Sequence, residues 1–325
     1  MTDSNERFDS IDAISGCMII YMIVYHVFQW CNLCSYNDTI VMHLLSFFMF
    51  WFFFKSGMFY KAKCNKELIY GGAKKLLVPF LIFSLFGHIL NCIHLFLVSD
   101  RNWMHYILSP IKSILVEGSL EGNYPLWFLP SLFFCQLFCN VMIKNKVKEL
   151  YVIILMLFLA YCCYYWGFTY PLYISNIALG IVFYLLGYKL KSIQYRKNVY
   201  FFSVALYLFI SCFRYSAIDV RTNLLNSNGI YWCAILYALA GCVVIDNLFC
   251  IQKFHLKWLT YIGRNSMIFY VLHWMILILC SFFLPESGKF NFGIMLFSCF
   301  IIIPLFYRLV RYYKLEWIFG MKKKY

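Results

Sequence analysis

Two histidines stand out among those that lie in or beside apolar stretches of the chain, where a titratable side chain is costly. His26 stands in the run Tyr-His-Val-Phe-Gln-Trp, and His273 in the run Ser-Met-Ile-Phe-Tyr-Val-Leu-His-Trp. Ionisable groups within a membrane are expensive and by default mark functional sites. Aromatic surroundings favour the neutral imidazole, which can take a proton from a hydroxyl group as a general base. Both histidines are therefore candidates for chemistry.

The two histidines lie at different depths if their segments are helices that cross a bilayer. His26 follows Asp12 by roughly 14 residues, about 21 Å along a helix, which places it in the outer third of the bilayer. His273 lies about 14 Å beyond Arg264, near the midplane. A simpler reading makes His26 an interfacial residue beside Trp30, and gives His273 an ordinary hydrogen bond between helices.

The composition is that of a polytopic membrane protein. Of the 325 residues, 63% are hydrophobic, 22% aromatic and only 13% charged, and the mean hydropathy is +0.72. The aromatic run from Phe47 to Gly57, which encloses Lys55, is interpreted as lipid-facing.

The lengths of the apolar segments predict an all-α integral membrane protein, with one domain over residues 1–325 and about ten transmembrane helices. A span needs roughly 20 apolar residues, and unpaired backbone amides in lipid exclude irregular spans. The segments that qualify lie near 11–30, 40–60, 76–98, 126–143, 149–166, 171–190, 199–215, 229–250, 265–284 and 291–313.

The basic residues predict the orientation. The net charge is +14, and with the N-terminus in the cytoplasm most of the 28 Lys and Arg residues fall on the cytoplasmic side, which is the positive-inside pattern. Both termini are then cytoplasmic. The excess of basic residues is interpreted as a signal that orients the protein in the lipid bilayer. No nucleic acid partner is expected. The outer side holds Arg101, Lys112, Arg214, Arg221 and Lys289.

The 15 cysteines do not predict a disulfide framework, because most lie in apolar segments, where thiols behave as small hydrophobic groups. Cys31 and Cys34 form a Cys-x-x-Cys pair at the outer face, and either a disulfide or two free thiols fits that spacing. Zinc would need two further ligands at matching spacing, so no metal site is predicted.

Five short motifs, in order along residues 7–273, resemble the membrane acyltransferase 3 family, whose members O-acylate cell-surface glycans. Each motif is weak alone, and the set is specific by its order. The similarity is greatest to the branch of fucose O-acetylases. The motifs are Arg7-x4-Asp12-x3-Gly16 before Tyr25-His26, the aromatic run ending in Ser56-Gly57, Lys74-Lys75 before Pro79, Leu-Trp-Phe-Leu at 126–129, and Gly263-x-x-Ser266 before Tyr270-x-x-His273.

The resemblance implies a ten-helix core in a bacterial plasma membrane that takes an acetyl group from cytoplasmic acetyl-CoA. The acceptor it implies is a hydroxyl group of a cell-surface or exopolysaccharide sugar, free or lipid-linked. His26 would be the general base. Asp12 would orient it, or else serve as a helix N-cap.

The resemblance also suggests which residues bind the two substrates. Lys74 and Lys75 would meet the phosphates of the donor, unless they are only topology charges. Lys55 departs from the apolar residue that the family usually has there, and it would reach the same phosphates or merely extend to the inner surface. Trp127 would pack on the acceptor sugar, with an aromatic-belt residue as the alternative, and His273 would contact the substrate.

A second departure from the family pattern matters more. The family usually has an arginine or lysine eleven residues before the catalytic histidine, and this chain has Ser15 there. Another cation such as Lys55 replaces it, or the donor site is altered, or activity is lost. Two other function classes stay open: a polysaccharide or lipid transporter, and a non-catalytic membrane partner in glycan assembly.

Overall fold

The fold is almost entirely helical in the computed structural model, which describes residues 4–33, 43–98, 107, 110–168, 170–213, 218–225, 231–252, 256–284 and 289–321. A two-stranded antiparallel hairpin, β1 and β2, is the only sheet in these ranges. The helices are α1 (Ser4–Trp30), α2 (Phe48–Met58), α3 (Asn65–Gly72), α4 (Val78–Leu97), α5 (Pro110–Glu117), α6 (Phe128–Lys144), α7 (Glu149–Tyr165), α8 (Leu172–Leu190), α9 (Lys197–Phe213), α10 (Tyr231–Gln252), α11 (Lys257–Arg264), α12 (Ser266–Ser281) and α13 (Lys289–Tyr312).

Shorter elements join these helices. A π-helical turn, Ala73–Leu77, connects α3 to α4, and a 3-10 segment, Glu121–Trp127, leads into α6. A second 3-10 segment, Glu316–Phe319, follows α13. The hairpin pairs Ile218–Asp219 with Leu224–Leu225 between α9 and α10.

Six helical stretches of the described chain are long and apolar enough to cross a membrane, and the bent pair α11 and α12 gives a seventh if it is one span. The prediction of an all-α membrane protein is thus confirmed, but the predicted number of ten spans is not. Helices α7 and α9 are apolar but shorter than 18 residues, and α2 has only 11. The six stretches are Asp9–Trp30, Asn65–Leu97, Pro110–Lys144, Tyr173–Leu190, Tyr231–Cys250 and Phe290–Tyr312.

Helix α2 lies at the centre of the bundle, so the lipid-facing interpretation of its aromatic run is wrong. Phe50, Phe53 and Phe54 are fully buried. The Phe50 ring stacks on Phe183 of α8, with 4.0 Å between ring centroids. Gly57 packs so closely on α8 that a Cβ there would collide with its backbone. The aromatic side chains therefore pack against other helices. A surface that packs on helices is as apolar as a surface that faces lipid, so composition does not distinguish the two.

Helices α1 and α11 cross through two glycines of the motifs quoted above. A Cβ at Gly16 would collide with the carbonyl of Leu259, and one at Gly263 with the carbonyl of Asp12. Small residues let helix backbones approach in this way in membrane proteins. The chain then turns by 81° between α11 and α12. The first and last motifs of the set are therefore in direct contact.

The predicted orientation can be tested with the exposed Cys64, which lies between α2 and α3. A variant that keeps Cys64 as its single cysteine should not react with a membrane-impermeant maleimide in intact cells, because this loop is predicted to be cytoplasmic. A matched variant whose single cysteine replaces the exposed Lys112 should react. Labelling of Cys64 from outside would show that the predicted orientation is wrong. The basic residues 322–324 of the predicted cytoplasmic tail lie outside the described residues.

Candidate functional site

Two cavities open along α1, one toward each end of that helix. The larger has a volume of about 550 Å³ and is lined by residues that include Asp12 and Lys55. The smaller, of about 280 Å³, is lined by residues that include His26. Met49 and Tyr270 line both cavities, so the two spaces adjoin inside the bundle. We call them the inner and the outer cavity, after the predicted orientation.

The inner cavity combines apolar walls with three lysines. Lys55, Lys61 and Lys63 line it together with Asp12, and Lys61 and Lys63 are exposed. A cavity of this kind can hold an apolar group inside and an anionic group at the exposed lysines. The apolar lining includes Ile11, Ile19, Met49, Phe52, Leu76, Phe128, Leu129 and Leu132.

Lys55 reaches from α2 to the position on α1 where the family pattern has a cation. Its Nζ donates to Ser15 Oγ at 2.5 Å, and Ser15 Oγ in turn donates to the Ile11 carbonyl at 2.7 Å. Ser15 is fully buried, so Lys55 points into the bundle rather than along it to the surface. Of the three explanations for Ser15, replacement by Lys55 is the one that this contact favours.

A buried carboxylate that the sequence analysis did not single out lies beside this lysine. Asp246 of α10 is fully buried and accepts a hydrogen bond from Trp51 Nε1 at 2.7 Å. The Lys55 ammonium lies 5.3 Å from the centroid of the Trp51 ring. Asp246 and Asp12 both attract Lys55 electrostatically. A carboxylate within the apolar segment 229–250 is costly, and this position could have identified Asp246 from the sequence.

The loop that carries Lys61 and Lys63 is held by Asn140 of α6, which is almost completely buried. Its Oδ1 accepts from the Tyr60 hydroxyl at 3.0 Å, and its Nδ2 donates to the Lys63 carbonyl at 3.2 Å and to Asn65 Oδ1 at 2.9 Å. Burial raises the pKa of the Tyr60 phenol, which stays protonated as the donor. One amide thus fixes both ends of the loop.

Lys74 and Lys75, the predicted donor-binding pair, lie elsewhere. Both are exposed on the π-helical turn, and neither is among the described residues that line the inner cavity. The exposed lysines of the cavity are Lys61 and Lys63, which belong to the cytoplasmic positive charges that the sequence analysis used only to predict the orientation. The motif and the cavity therefore select different lysines.

His26 lies in the wall of the outer cavity within an aromatic cluster. Its ring makes edge contacts with Tyr25 and Trp274, each with 5.3 Å between centroids. Its Nδ1 atom is buried and has no hydrogen-bond partner among the described residues. The hydrogen-bonding capacity of His26 is therefore not fully used within the described part of the chain.

His273 stacks against His26, with ring centroids 5.3 Å apart and planes 24° apart. Its Nδ1 lies 2.8 Å from the Tyr270 carbonyl, and a carbonyl only accepts, so Nδ1 carries the proton. His273 is fully buried and is not among the described residues that line either cavity. The structure places it behind His26, not at the predicted substrate contact.

Asp12 and His26 are not brought together. Asp12 Oδ2 accepts from Arg264 Nε at 3.1 Å, and Asp9 pairs with the same guanidinium. Since α1 is continuous, Asp12 stays about 21 Å from His26 along the helix. Helix α1 begins at Ser4, so Asp12 is not its N-cap either. Its observed contact joins α1 to the α11–α12 corner at the inner cavity.

Trp127 is the residue predicted to bind the acceptor. It is 6% exposed and lines the outer cavity. The neighbouring Pro125 carbonyl accepts a hydrogen bond from the Tyr270 hydroxyl, which ties the 3-10 segment to α12. The outer cavity also contains Tyr124 and Arg221, which the sequence analysis did not propose as site residues.

Of the Cys31 and Cys34 pair, the structure describes only Cys31, which is a buried free thiol.

Comparison with known protein families gives one match. The model of the Acyl_transf_3 family, described as an acyltransferase domain, matches residues 8–293 and so includes both cavities and both histidines. No curated protein and no solved structure gave a match.

Proposed function

Because the chain belongs to the acyltransferase 3 family, we propose that this membrane acyltransferase is an O-acetyltransferase that uses cytoplasmic acetyl-CoA. The acceptor is a hydroxyl group of a cell-surface or exopolysaccharide sugar, and the enzyme is a multi-pass protein of the bacterial plasma membrane. The observation that carries this proposal is the pair of adjoining cavities, one basic and one histidine-lined, that share Met49 and Tyr270.

The inner cavity supports the donor assignment. Coenzyme A has an uncharged thioester arm and an anionic nucleotide. The arm fits the apolar interior of the inner cavity, and Lys61 and Lys63 stand at its exposed part, where they can meet phosphates. Lys55 lies deeper, where the carboxylates of Asp12 and Asp246 attract its side chain.

The outer cavity supports the acceptor assignment. A sugar hydroxyl is a poor nucleophile, and His26 can remove its proton as the oxygen attacks the acyl carbon. The new C–O bond forms as the C–S bond to the thiol breaks, and His26 then returns the proton to the leaving thiolate. His273 packs on the face of His26 and fixes its ring plane. Trp127 and Trp274 offer aromatic faces to the sugar ring.

The proposal is tested by the acetyl content of the host cell-surface glycan. NMR spectra of glycan from cells with and without this protein should differ by one O-acetyl signal, which identifies both the reaction and the acceptor. Identical spectra together with impaired glycan export would favour the transporter alternative.

The motif predicts that Lys74 and Lys75 bind the donor, whereas the cavity indicates Lys61 and Lys63. Variants of the two pairs test which prediction is right. K61Q/K63Q should raise the KM for acetyl-CoA roughly tenfold at low salt, because two charge contacts of up to about 1 kcal/mol each are lost. The increase should shrink at high salt, where exposed charges are screened.

The matched control is K74Q/K75Q, which removes the same charge from the same predicted face of the membrane. Its KM should stay within about twofold of the wild-type value, because Lys74 and Lys75 do not line the cavity. A larger effect for K74Q/K75Q than for K61Q/K63Q would return the donor site to the motif lysines.

A further inference from the structure

The β1–β2 hairpin is built into the wall of the outer cavity. Ile218, Asp219, Val220 and Arg221 all line that cavity. The hairpin is anchored from below by Asn223, which is almost completely buried. Its Nδ2 donates to the Ala160 carbonyl at 2.7 Å, and its Oδ1 accepts from the Tyr231 hydroxyl at 2.9 Å. The position of Arg221 is therefore set by buried hydrogen bonds.

The carboxylate of Asp219 is used inside the hairpin. Its Oδ1 accepts from the Arg221 backbone N–H at 3.0 Å, and its Oδ2 accepts from the Thr222 hydroxyl at 2.7 Å. The Asn176 side chain donates to the Arg221 carbonyl at 3.4 Å. The backbone around Arg221 is satisfied, which leaves its side chain to act in the cavity.

The Arg221 guanidinium has donors to spare. It lies over the Tyr124 ring at 4.3 Å from the centroid, and its contact with Glu117 is long, at 4.0 Å. Its Nε atom is buried and has no partner among the described residues. A guanidinium carries five N–H donors in a flat fork, so donors beyond the hydrogen bond to the Tyr124 side chain remain for a ligand that lies beside Tyr124.

The charges around Arg221 indicate which ligand fits. Glu117 lies 4.0 Å from the guanidinium, and the Asp219 carboxylate, which accepts from the Arg221 backbone N–H, lines the same cavity, so the site holds two carboxylates and one guanidinium. A uronic acid or phosphate would meet this acidic excess, whereas uncharged hydroxyl and ring oxygens accept hydrogen bonds without that repulsion. The aromatic side chains of Tyr124 and Trp274, whose centroids are 6.4 Å apart, supply faces for an apolar sugar surface.

We infer that Arg221 is an acceptor-binding residue that donates hydrogen bonds to an uncharged glycosyl residue, and that Glu117 and Asp219 select against acidic sugars. This inference rests on the proposed function and specifies the acceptor of the same site. Arg221 is the residue of the outer cavity that holds the sugar while His26 acts on its hydroxyl.

The test uses the full-length protein in lipid nanodiscs with radiolabelled acetyl-CoA. The acceptors are a panel of methyl hexopyranosides and the matched methyl uronopyranosides. The wild type should transfer acetyl to a neutral hexoside in preference to its uronoside. R221Q should raise the KM for that hexoside on the order of 10- to 100-fold, since a charge-assisted hydrogen bond is lost. R221K should lie between, because it keeps the charge but loses the fork.

Two further variants separate binding from folding. K112Q, on the exposed part of α5, should leave both KM values unchanged. E117Q should lower the uronoside KM relative to that of the hexoside several-fold, a gain that a damaged structure would not produce. The KM for acetyl-CoA should be unchanged in all variants.

The outcomes distinguish this inference from the proposed function. Normal hexoside KM in R221Q, or an unchanged hexoside-to-uronoside ratio in E117Q, would overturn the role of Arg221 while acetyl transfer itself stands. A wild-type enzyme that binds no acetyl-CoA and acetylates no sugar would overturn both.

Discussion

Replacement of His26 by alanine should lower O-acetyl transfer by about 10²- to 10⁴-fold, the usual cost of removing a general base. The reason is its place in the outer cavity, where its buried Nδ1 has no protein partner among the described residues. The measurement is acetyl transfer per unit of membrane-inserted protein. His26→Gln should be equally inactive, because an amide can hydrogen-bond but does not take up a proton at neutral pH.

His88 provides the matched control for this loss. It lies half-buried on α4 and is not among the described residues that line either cavity. His88→Ala should keep transfer within about threefold of wild type. Near-normal activity in His26→Ala would mean that the proposed mechanism is wrong even though the family assignment stands.

The second large effect is expected at Lys55. Lys55→Met removes the ammonium that bonds Ser15 and stands beside the buried Asp246. Transfer should fall roughly 10- to 100-fold, because the proposed role of this ammonium is a charge-assisted hydrogen bond of about 1.5–3 kcal/mol to the acyl donor. The readout is transfer at saturating acceptor over a range of acetyl-CoA concentrations.

The contact between Lys55 and Ser15 suggests a rescue experiment. If Lys55 supplies the cation that the family pattern has at position 15, the double variant Ser15→Lys with Lys55→Met should recover most of the lost activity. Ser15→Ala is the control, and it should cost little because Lys55 remains. Failure of the double variant to recover, while it inserts at normal abundance, would show that the cation must come from α2.

The sequence predicted the helical membrane fold and the family well, because both are recorded in local patterns. Apolar segment length decides whether a helix can span, and the order of the short motifs identified the family that the comparison shows. His26 became the candidate base from its aromatic segment and the family motif, and its role stays a prediction. These conclusions needed no knowledge of how the helices pack.

Features that depend on packing were predicted less well. The Phe47–Gly57 run was taken as lipid-facing because lipid and helix core are equally apolar, and only the contact of α2 with α8 decides between them. Likewise, the sequence presents Lys61 and Lys63 only as orientation charges. Their loop lies at the inner cavity because Asn140, far along the chain, holds it there. Arg221 was not predicted as a site residue, because its place in the outer cavity depends on the buried hydrogen bonds that hold its hairpin.

The central claim, transfer from one side of the membrane to the other, is tested most directly in sealed inverted membrane vesicles, whose outer surface is the cytoplasmic face. Radiolabelled acetyl-CoA is added outside, and neutral hexose oligosaccharides are sealed in the lumen. The account predicts labelled oligosaccharide in the lumen, and none in right-side-out vesicles given the same donor. Label that appears only on oligosaccharide supplied on the same side as acetyl-CoA would contradict it.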